Sequence, residues 1–164
     1  MFLLTGTPGV GKSTIADVLA EKGYLVIRAK DTVRDYVLEE SDDDTLIDVD
    51  AWADNFHPVD AIVEGHFSHF IPGATGVIIL RCNPDILTSR LRARGYSAEK
   101  VRENVEAEIL DVILIETLDL YTEEQVYEID VSSASIEEIV AHVEHVLEGH
   151  AFPCCGIVDW TAWV

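Results

Sequence analysis

Leu3-Leu4-Thr5-Gly6-Thr7-Pro8-Gly9-Val10-Gly11-Lys12-Ser13-Thr14 is the stretch on which the fold reading turns. Phe2 to Thr5 is a short apolar run. The glycine cluster follows at once, and Ser13 to Lys22 then carries Ile15, Val18 and Leu19 at helical spacing until Gly23 ends it. Gly6 and Gly11 flank four residues and are followed by Lys12 and Ser13. This is the Walker A pattern, in the strand, loop and helix setting that its mechanism requires. Glycines let successive backbone N–H groups turn inward toward phosphate oxygens, and the start of the helix adds partial positive charge. The pattern predicts Gly9, Val10, Gly11, Lys12, Ser13 and Thr14 as ligands of a nucleotide polyphosphate. Lys12 is expected at the β- and γ-phosphates, the Ser13 hydroxyl on Mg²⁺ and Thr14 at the α-phosphate.

Outward from this stretch, Tyr24 to Arg28 reads as a second strand and Asp31 to Glu40 as a helix with Val33, Tyr36 and Val37 on one side. Ser41-Asp42-Asp43-Asp44 makes a polar turn. Thr45 to Val49 is a short strand or extended chain, and Asp50 is a candidate cap for a short helix through Trp52 and Phe56. Ala61 to Val63 and Val77 to Leu80 have the apolar character of buried central strands. Asn83-Pro84 starts a helix that Gly95 closes after Arg94. Ser97 opens a long helix to about Tyr121, with Val101, Val105, Ile109 and Val112 facing inward. Val126 to Ile129 is the last strand. Ser135 and Glu138 form a capping box for a final helix through Leu147, stopped by Gly149. Strands alternating with helices predict an α/β chain, a parallel sheet covered on both faces, as one domain over residues 1–149. Residues 150–164 lose the pattern, yet Phe152, Ile157, Trp160 and Trp163 are too apolar for a free tail, so this segment is expected to pack on the domain or on a partner.

A Walker A loop needs an acidic group near Mg²⁺, and Glu64 stands at the carboxyl end of a short apolar strand where such a residue belongs. Glu64-Gly65-His66 also brings an imidazole beside the phosphates, either to position substrate or water or as a structural loop histidine. Arg90 and Arg94 are four apart and share a helix face, which suits neutralisation of charge on a transferring phosphoryl group, whereas Arg92 points elsewhere. Five of the seven arginines lie between Arg81 and Arg102, a cationic segment expected to meet something negative. After the second strand, Arg34 is a candidate for an acceptor phosphate and Asp31 for a helix cap; pairing of Arg34 with Asp35 or Glu39 is the plain alternative. Asp48 and Asp50 either meet an acceptor or structure their loop.

The chain has 164 residues, an apolar fraction of 48%, and 31 acidic against 11 basic residues for a formal charge of −20. That charge argues against non-specific binding of nucleic acid through its phosphates. Nothing at the start of the chain resembles a secretory signal, no apolar run is long enough for a bilayer, and Cys82, Cys154 and Cys155 form neither a disulfide framework nor a spaced metal site. A cytoplasmic protein is expected.

These residues together resemble the adenylate kinase isoenzyme 6 type, a divergent branch of nucleoside monophosphate kinases found in archaea and eukaryotes. The resemblance runs from about Leu3 to Leu147. It rests on Leu4 to Thr14, the Asp31 to Arg34 spacing, Glu64-Gly65-His66 with Phe70 and Pro72, and Arg90-Leu91-Arg92-Ala93-Arg94-Gly95-Tyr96 followed by Asn104 and Glu108-Ile109. It implies a Rossmann-like three-layer P-loop NTPase core, a short acceptor-binding insert at about 31–56 and a short lid at about 90–104. The implied activities are adenylate kinase (ATP plus AMP to ADP) and ATPase, with Mg²⁺ entering with ATP. The same resemblance implies a small-subunit ribosomal protein as partner, which makes an ATPase assembly factor a second reading. A P-loop kinase of another small molecule is a third. The family usually has Asp where this chain has Glu64, and its insert is commonly longer than the segment from Arg34 to Asp50.

An excess of 20 negative charges repels itself in dilute salt and is screened when the Debye length falls to about 3 Å at molar salt. Adaptation to high salt is therefore expected. The midpoint of thermal unfolding should rise as KCl is raised to molar concentration, and a midpoint that stays put or falls would remove this reading.

Overall fold

The computed structural model describes residues 1–40 and 45–164, so the polar turn expected at Ser41 to Asp44 lies outside the described residues. The chain runs β1 (Phe2–Thr5), α1 (Lys12–Glu21), β2 (Val26–Arg28), β3 (Val37–Glu40), β4 (Thr45–Ile47), α2 (Val49–Asn55), β5 (Ile62–Glu64), β6 (Gly76–Arg81), α3 (Pro84–Ala93), α4 (Ala98–Ile109), α5 (Val112–Leu118), β7 (Val126–Asp130) and α6 (Ile136–Leu147). Five strands form one parallel sheet in the order β2-β5-β1-β6-β7, with Leu3 beside Val63 on one side and Val77 on the other.

Alternation along the strands builds the three layers. Leu4, Ile62, Ile78, Leu80 and Ile129 point to the face covered by α1, α3 and α6, where they pack with Ile15, Leu19, Leu87, Leu91 and Val143. Leu3, Val63, Val77 and Ile79 point to the other face and pack with Trp52, Phe67, Ile71, Leu114 and Tyr121. A parallel sheet covered on both faces has continuous apolar strands, as here. Its strand order reverses at β1, so the crevice at the carboxyl ends of β1, β5 and β6 is where such a sheet receives ligands.

Three local expectations are corrected. Asp31 to Glu40 is not a helix: residues 29–31 and 34–36 form 3₁₀ turns, and Val37–Glu40 pairs antiparallel with Thr45–Ile47. An antiparallel strand partner overrides the helical spacing of Val33 and Tyr36. The cap of α2 is Asp48, whose carboxylate accepts the Ala51 amide at 3.0 Å, rather than Asp50. The helix expected from Ser97 to Tyr121 breaks between α4 and α5. Asp111 there has φ 55°, the one left-handed non-glycine residue among those described. The cause is Arg81. Its guanidinium takes the Glu108 carbonyl at 3.1 Å and bonds the Asp111 carboxylate, and a carbonyl claimed from outside weakens the helical bond to the residue four positions on. Arg81, only 2% exposed, thus belongs to the interior instead of a cationic surface.

The segment after β2 is anchored by Trp52. Its ring is 1% exposed, meets Phe56 and Phe67 edge-on, and donates from Nε1 to Thr32 Oγ1 at 2.9 Å. Residues 150–164 lie along β7: Cys154 bridges Tyr127 in parallel, the Cys154 amide donates to the Val126 carbonyl and the Glu128 amide to the Cys154 carbonyl, both at 3.0 Å. Trp52→Ala is expected to cost about 3–5 kcal/mol of unfolding free energy in a urea titration, because it leaves a cavity and removes the bond that the Thr32 hydroxyl accepts, although that hydroxyl still donates to the Ala29 carbonyl. A loss below about 1 kcal/mol would mean that the segment after β2 does not depend on this ring.

Candidate functional site

The loop from Gly6 to Gly11 leaves β1 and enters α1. At Gly6 φ is +142° and an added Cβ would lie 2.5 Å from the Leu80 carbonyl oxygen, so only glycine allows the loop to pass this close to β6. Gly11 caps α1 in the left-handed region without a side-chain acceptor, which leaves the first-turn amides free of a side-chain cap at an end that attracts anions. Lys12 folds back over the loop, donating from Nζ to the Gly6 carbonyl at 2.6 Å and the Thr7 carbonyl at 3.0 Å. Burial pushes its pKa down to about 8; the carboxylates of Glu64 and Glu108 oppose the fall and Arg94 adds to it.

At the end of β5, Glu64 is 6% exposed. Its Oε1 accepts the Ser13 hydroxyl at 3.4 Å and its Oε2 accepts Arg28 Nη1 at 3.0 Å. Arg28, at the end of β2, also pairs with Asp17.

Two cavities flank the loop. One, of about 390 Å³, is lined by Gly9 to Gly11, Thr14, Arg90, Arg94 and apolar residues of the β7–α6 region such as Val131 and Ile139. Arg90 crosses its floor and donates to the Val10 carbonyl at 3.0 Å. The other cavity, of about 530 Å³, opens beside Thr7 and Pro8. His66, Phe70, Tyr96, Asn104 and Glu116 are among its walls. The exposed His66 ring stands edge-on to Phe67. His69 is 1% exposed, with Nδ1 3.1 Å from Thr5 Oγ1 and Nε2 2.9 Å from Glu116 Oε2. Burial holds its pKa below the ordinary value against the pull of Glu116.

A family model described as an AAA domain matches residues 3–111. A protein of Archaeoglobus fulgidus named "Putative adenylate kinase" is 43% identical over 151 residues, 91% of this chain and 83% of that protein. A protein of the same name from Thermococcus kodakarensis is 42% identical over 168 residues, 96% of this chain and 91% of that one. The chain belongs to this P-loop family. A gluconokinase structure from Sinorhizobium meliloti 1021 superposes with a TM-score of 0.57 over 90% of this chain and 93% of its own, at 18% identity, which is a likeness of fold.

For this family member, the residues of the loop and its surroundings that the sequence singled out fall into three groups. Gly9, Val10, Gly11, Thr14, Arg90 and Arg94 line the first cavity; Lys12, Ser13 and Glu64 meet between the two, and His66 faces the second. Asp31 and Arg34 are exposed on the segment after β2 and line neither cavity. Arg92 is exposed, and exposed Arg102 lies 3.7 Å from Glu106 one turn on. Sequence reasoning missed Arg28, although its place at a strand's carboxyl end was a usable signal. It also missed His69 and gave no role to Glu108, whose neighbours are remote in the chain. The hydroxyl and carboxylate of Ser13 and Glu64 are hard oxygen donors of the kind Mg²⁺ prefers. No group of three or more His, Cys, Asp or Glu residues suited to a metal occurs among the described residues. No helix among the described residues is long and apolar enough to cross a membrane.

Titration of Lys12 Nζ by NMR in the nucleotide-free protein should give a midpoint of about 8. A midpoint at the ordinary lysine value would mean that the ammonium does not rest in the dry loop.

Proposed function

We propose that the protein is a cytoplasmic nucleoside monophosphate kinase that transfers the terminal phosphoryl group of MgATP to an acceptor, AMP being favoured, with slower ATP hydrolysis alongside. One observation carries this reading: the phosphate loop lies between two separate cavities, one against Gly9 to Gly11 and one against Thr7 and Pro8. A polyphosphate running along the loop from the first cavity would present its terminal phosphate at the second, where an acceptor waits in line. In this reading the apolar first cavity takes the adenosine and the aromatic walls of Phe70 and Tyr96 hold the acceptor nucleoside. The relatives' names support the acceptor class.

Lys12 would exchange its bonds to the Gly6 and Thr7 carbonyls for phosphate oxygens and gain charge stabilisation as it does so. Ser13 and Glu64 would hold Mg²⁺, which supplies electrostatic neutralisation of the phosphates. Arg90 and Arg94, which line the adenosine cavity, would come over the transferring group by closure of the segment that carries them, and positioned cations are most effective once such closure has excluded water. His66 would orient the acceptor or a water molecule. Asp31 and Arg34 would reach the acceptor phosphate by closure of the segment after β2, which also excludes water and limits hydrolysis. A second reading, ATP turnover coupled to a basic ribosomal protein, is favoured by the charge of −20, since opposite charge speeds encounter.

A coupled assay should show ADP formed faster from ATP plus AMP than from ATP alone. Lys12→Ala should lose about 100-fold or more in kcat/KM and Arg90→Ala a comparable factor. Phe70→Ala should raise the KM for AMP and leave that for ATP nearly unchanged. AMP without effect, combined with stimulation of ATP turnover by a basic ribosomal protein, would replace the kinase reading by the second one.

A further inference from the structure

Glu108 is the one buried carboxylate of α4, at 2% exposure, and both its oxygens are engaged. Oε2 accepts the Thr7 hydroxyl at 2.5 Å. Oε1 accepts Arg81 Nε at 2.9 Å, the Cys82 amide at 3.0 Å and the Trp160 indole N–H at 3.3 Å. Thr7 is the loop residue whose carbonyl accepts the Lys12 ammonium. Continuous bonding therefore runs from the C-terminal segment through Trp160, Glu108 and Thr7 to Lys12.

The C-terminal segment is placed to keep that carboxylate dry. Trp160 is 9% exposed and stands edge-on to Trp163, which donates to Asp85 at the start of α3. Further back, the Ile157 amide donates to Glu128 Oε2 at 3.0 Å, and Glu128 is the other fully buried partner of Arg81. A loop built on glycines has little stiffness of its own. A hydroxyl clamped from outside sets the direction of the Thr7 peptide, and with it the place of the ammonium.

We propose that Glu108 is a positioning residue for the phosphate loop and that residues 150–164, through Trp160, belong to the same positioning apparatus. The inference rests on the reading of this loop as the ATP site.

The test is kcat and KM for ATP in wild type, Thr7→Val, Glu108→Gln, Trp160→Phe and their pairs. Glu108→Gln should lose about tenfold in kcat/KM, chiefly in kcat, and Thr7→Val a similar factor with the same split, because a displaced ammonium fails the transferring phosphate more than the bound nucleotide. The pair should lie within about twofold of the worse single variant, because the two side chains act through one bond. Trp160→Phe should lose about threefold alone and almost nothing further beside Glu108→Gln. Losses that multiply, or losses confined to KM, overturn the proposal. Should Glu108→Gln fail to fold, the Thr7→Val and Trp160→Phe cycle decides on the same criterion: coupled losses support it and independent losses refute it. A wild-type chain that binds no MgATP removes the ATP-site reading and this inference together, whereas binding with independent losses removes the inference alone.

Discussion

One buried guanidinium organises the carboxyl end of the sheet. Arg81 leaves β6 into a space where Glu108, Asp111 and Glu128 converge on it. Burial opposes its charge, but Glu108 and Asp111 outweigh that cost and hold its pKa above the ordinary value. Removing the guanidinium from such a cluster would leave buried carboxylates uncompensated, at a cost of about 3–5 kcal/mol. One cation does not neutralise three carboxylates, and the remainder is met by neutral donors: the Thr7 hydroxyl, the Cys82 amide and the Trp160 indole on Glu108, and the Ile157 amide on Glu128. Those donors come from three parts of the chain: the loop, the end of β6 and the C-terminal segment. Charge satisfaction at one point thus ties together the loop, β6, the break between α4 and α5, and the C-terminal segment.

The same accounting explains the state of Lys12. A lysine buried among backbone carbonyls without anions would tend to shed its proton; here the fall stops at about 8 because carboxylates stand on two sides. The loop is therefore strained electrostatically in a useful sense. Its ammonium is held by two carbonyl dipoles that a phosphate oxygen, bearing full charge, can displace. Glu64 is treated alike, with Arg28 on one oxygen and Ser13 on the other, so a cation that approaches Ser13 meets a carboxylate already aimed at it.

How much of this was legible in the sequence follows from how local each feature is. β1, α1, β6 and α6 were readable because a period, a glycine stop or a capping box lies within a dozen residues, and the parallel three-layer sheet follows from their alternation. The Walker A residues declared themselves by spacing alone. The segment after β2 did not, because Val37 pairs with Ile47, and pairing is not written in the helical spacing of Val33 and Tyr36. The continuous helix expected after Ser97 fails for a related reason: its break is imposed by Arg81, 30 residues earlier than Asp111. His69 and Glu108 escaped because each is defined by a partner at the far end of the domain, Glu116 and Thr7 respectively. The cluster of arginines from Arg81 to Arg102 was visible as composition, yet only the fold separates Arg81, which answers the protein's own carboxylates, from Arg90 and Arg94, which face a cavity.

That separation also makes sense of a molecule whose acidity would repel an anionic ligand. Positive charge is scarce, and part of it is drawn in around the loop: Lys12 and Arg81 are buried and Arg28 and Arg90 partly buried, while Lys22, Lys30, Arg34, Arg92, Arg94 and Arg102 are exposed. The surface carries many carboxylates, such as Glu99, Glu103 and Glu106 on the exposed side of α4. Coulomb interactions weaken far more in water than in a dry crevice, and salt screens the exposed charges first. An anion approaching in salt therefore feels less of the distant acidic surface than of the few cations at the loop, whose field is confined by the apolar walls around them. A protein can in this way carry a large net negative charge and still present a positive pocket, provided that the cations sit where solvent does not reach them.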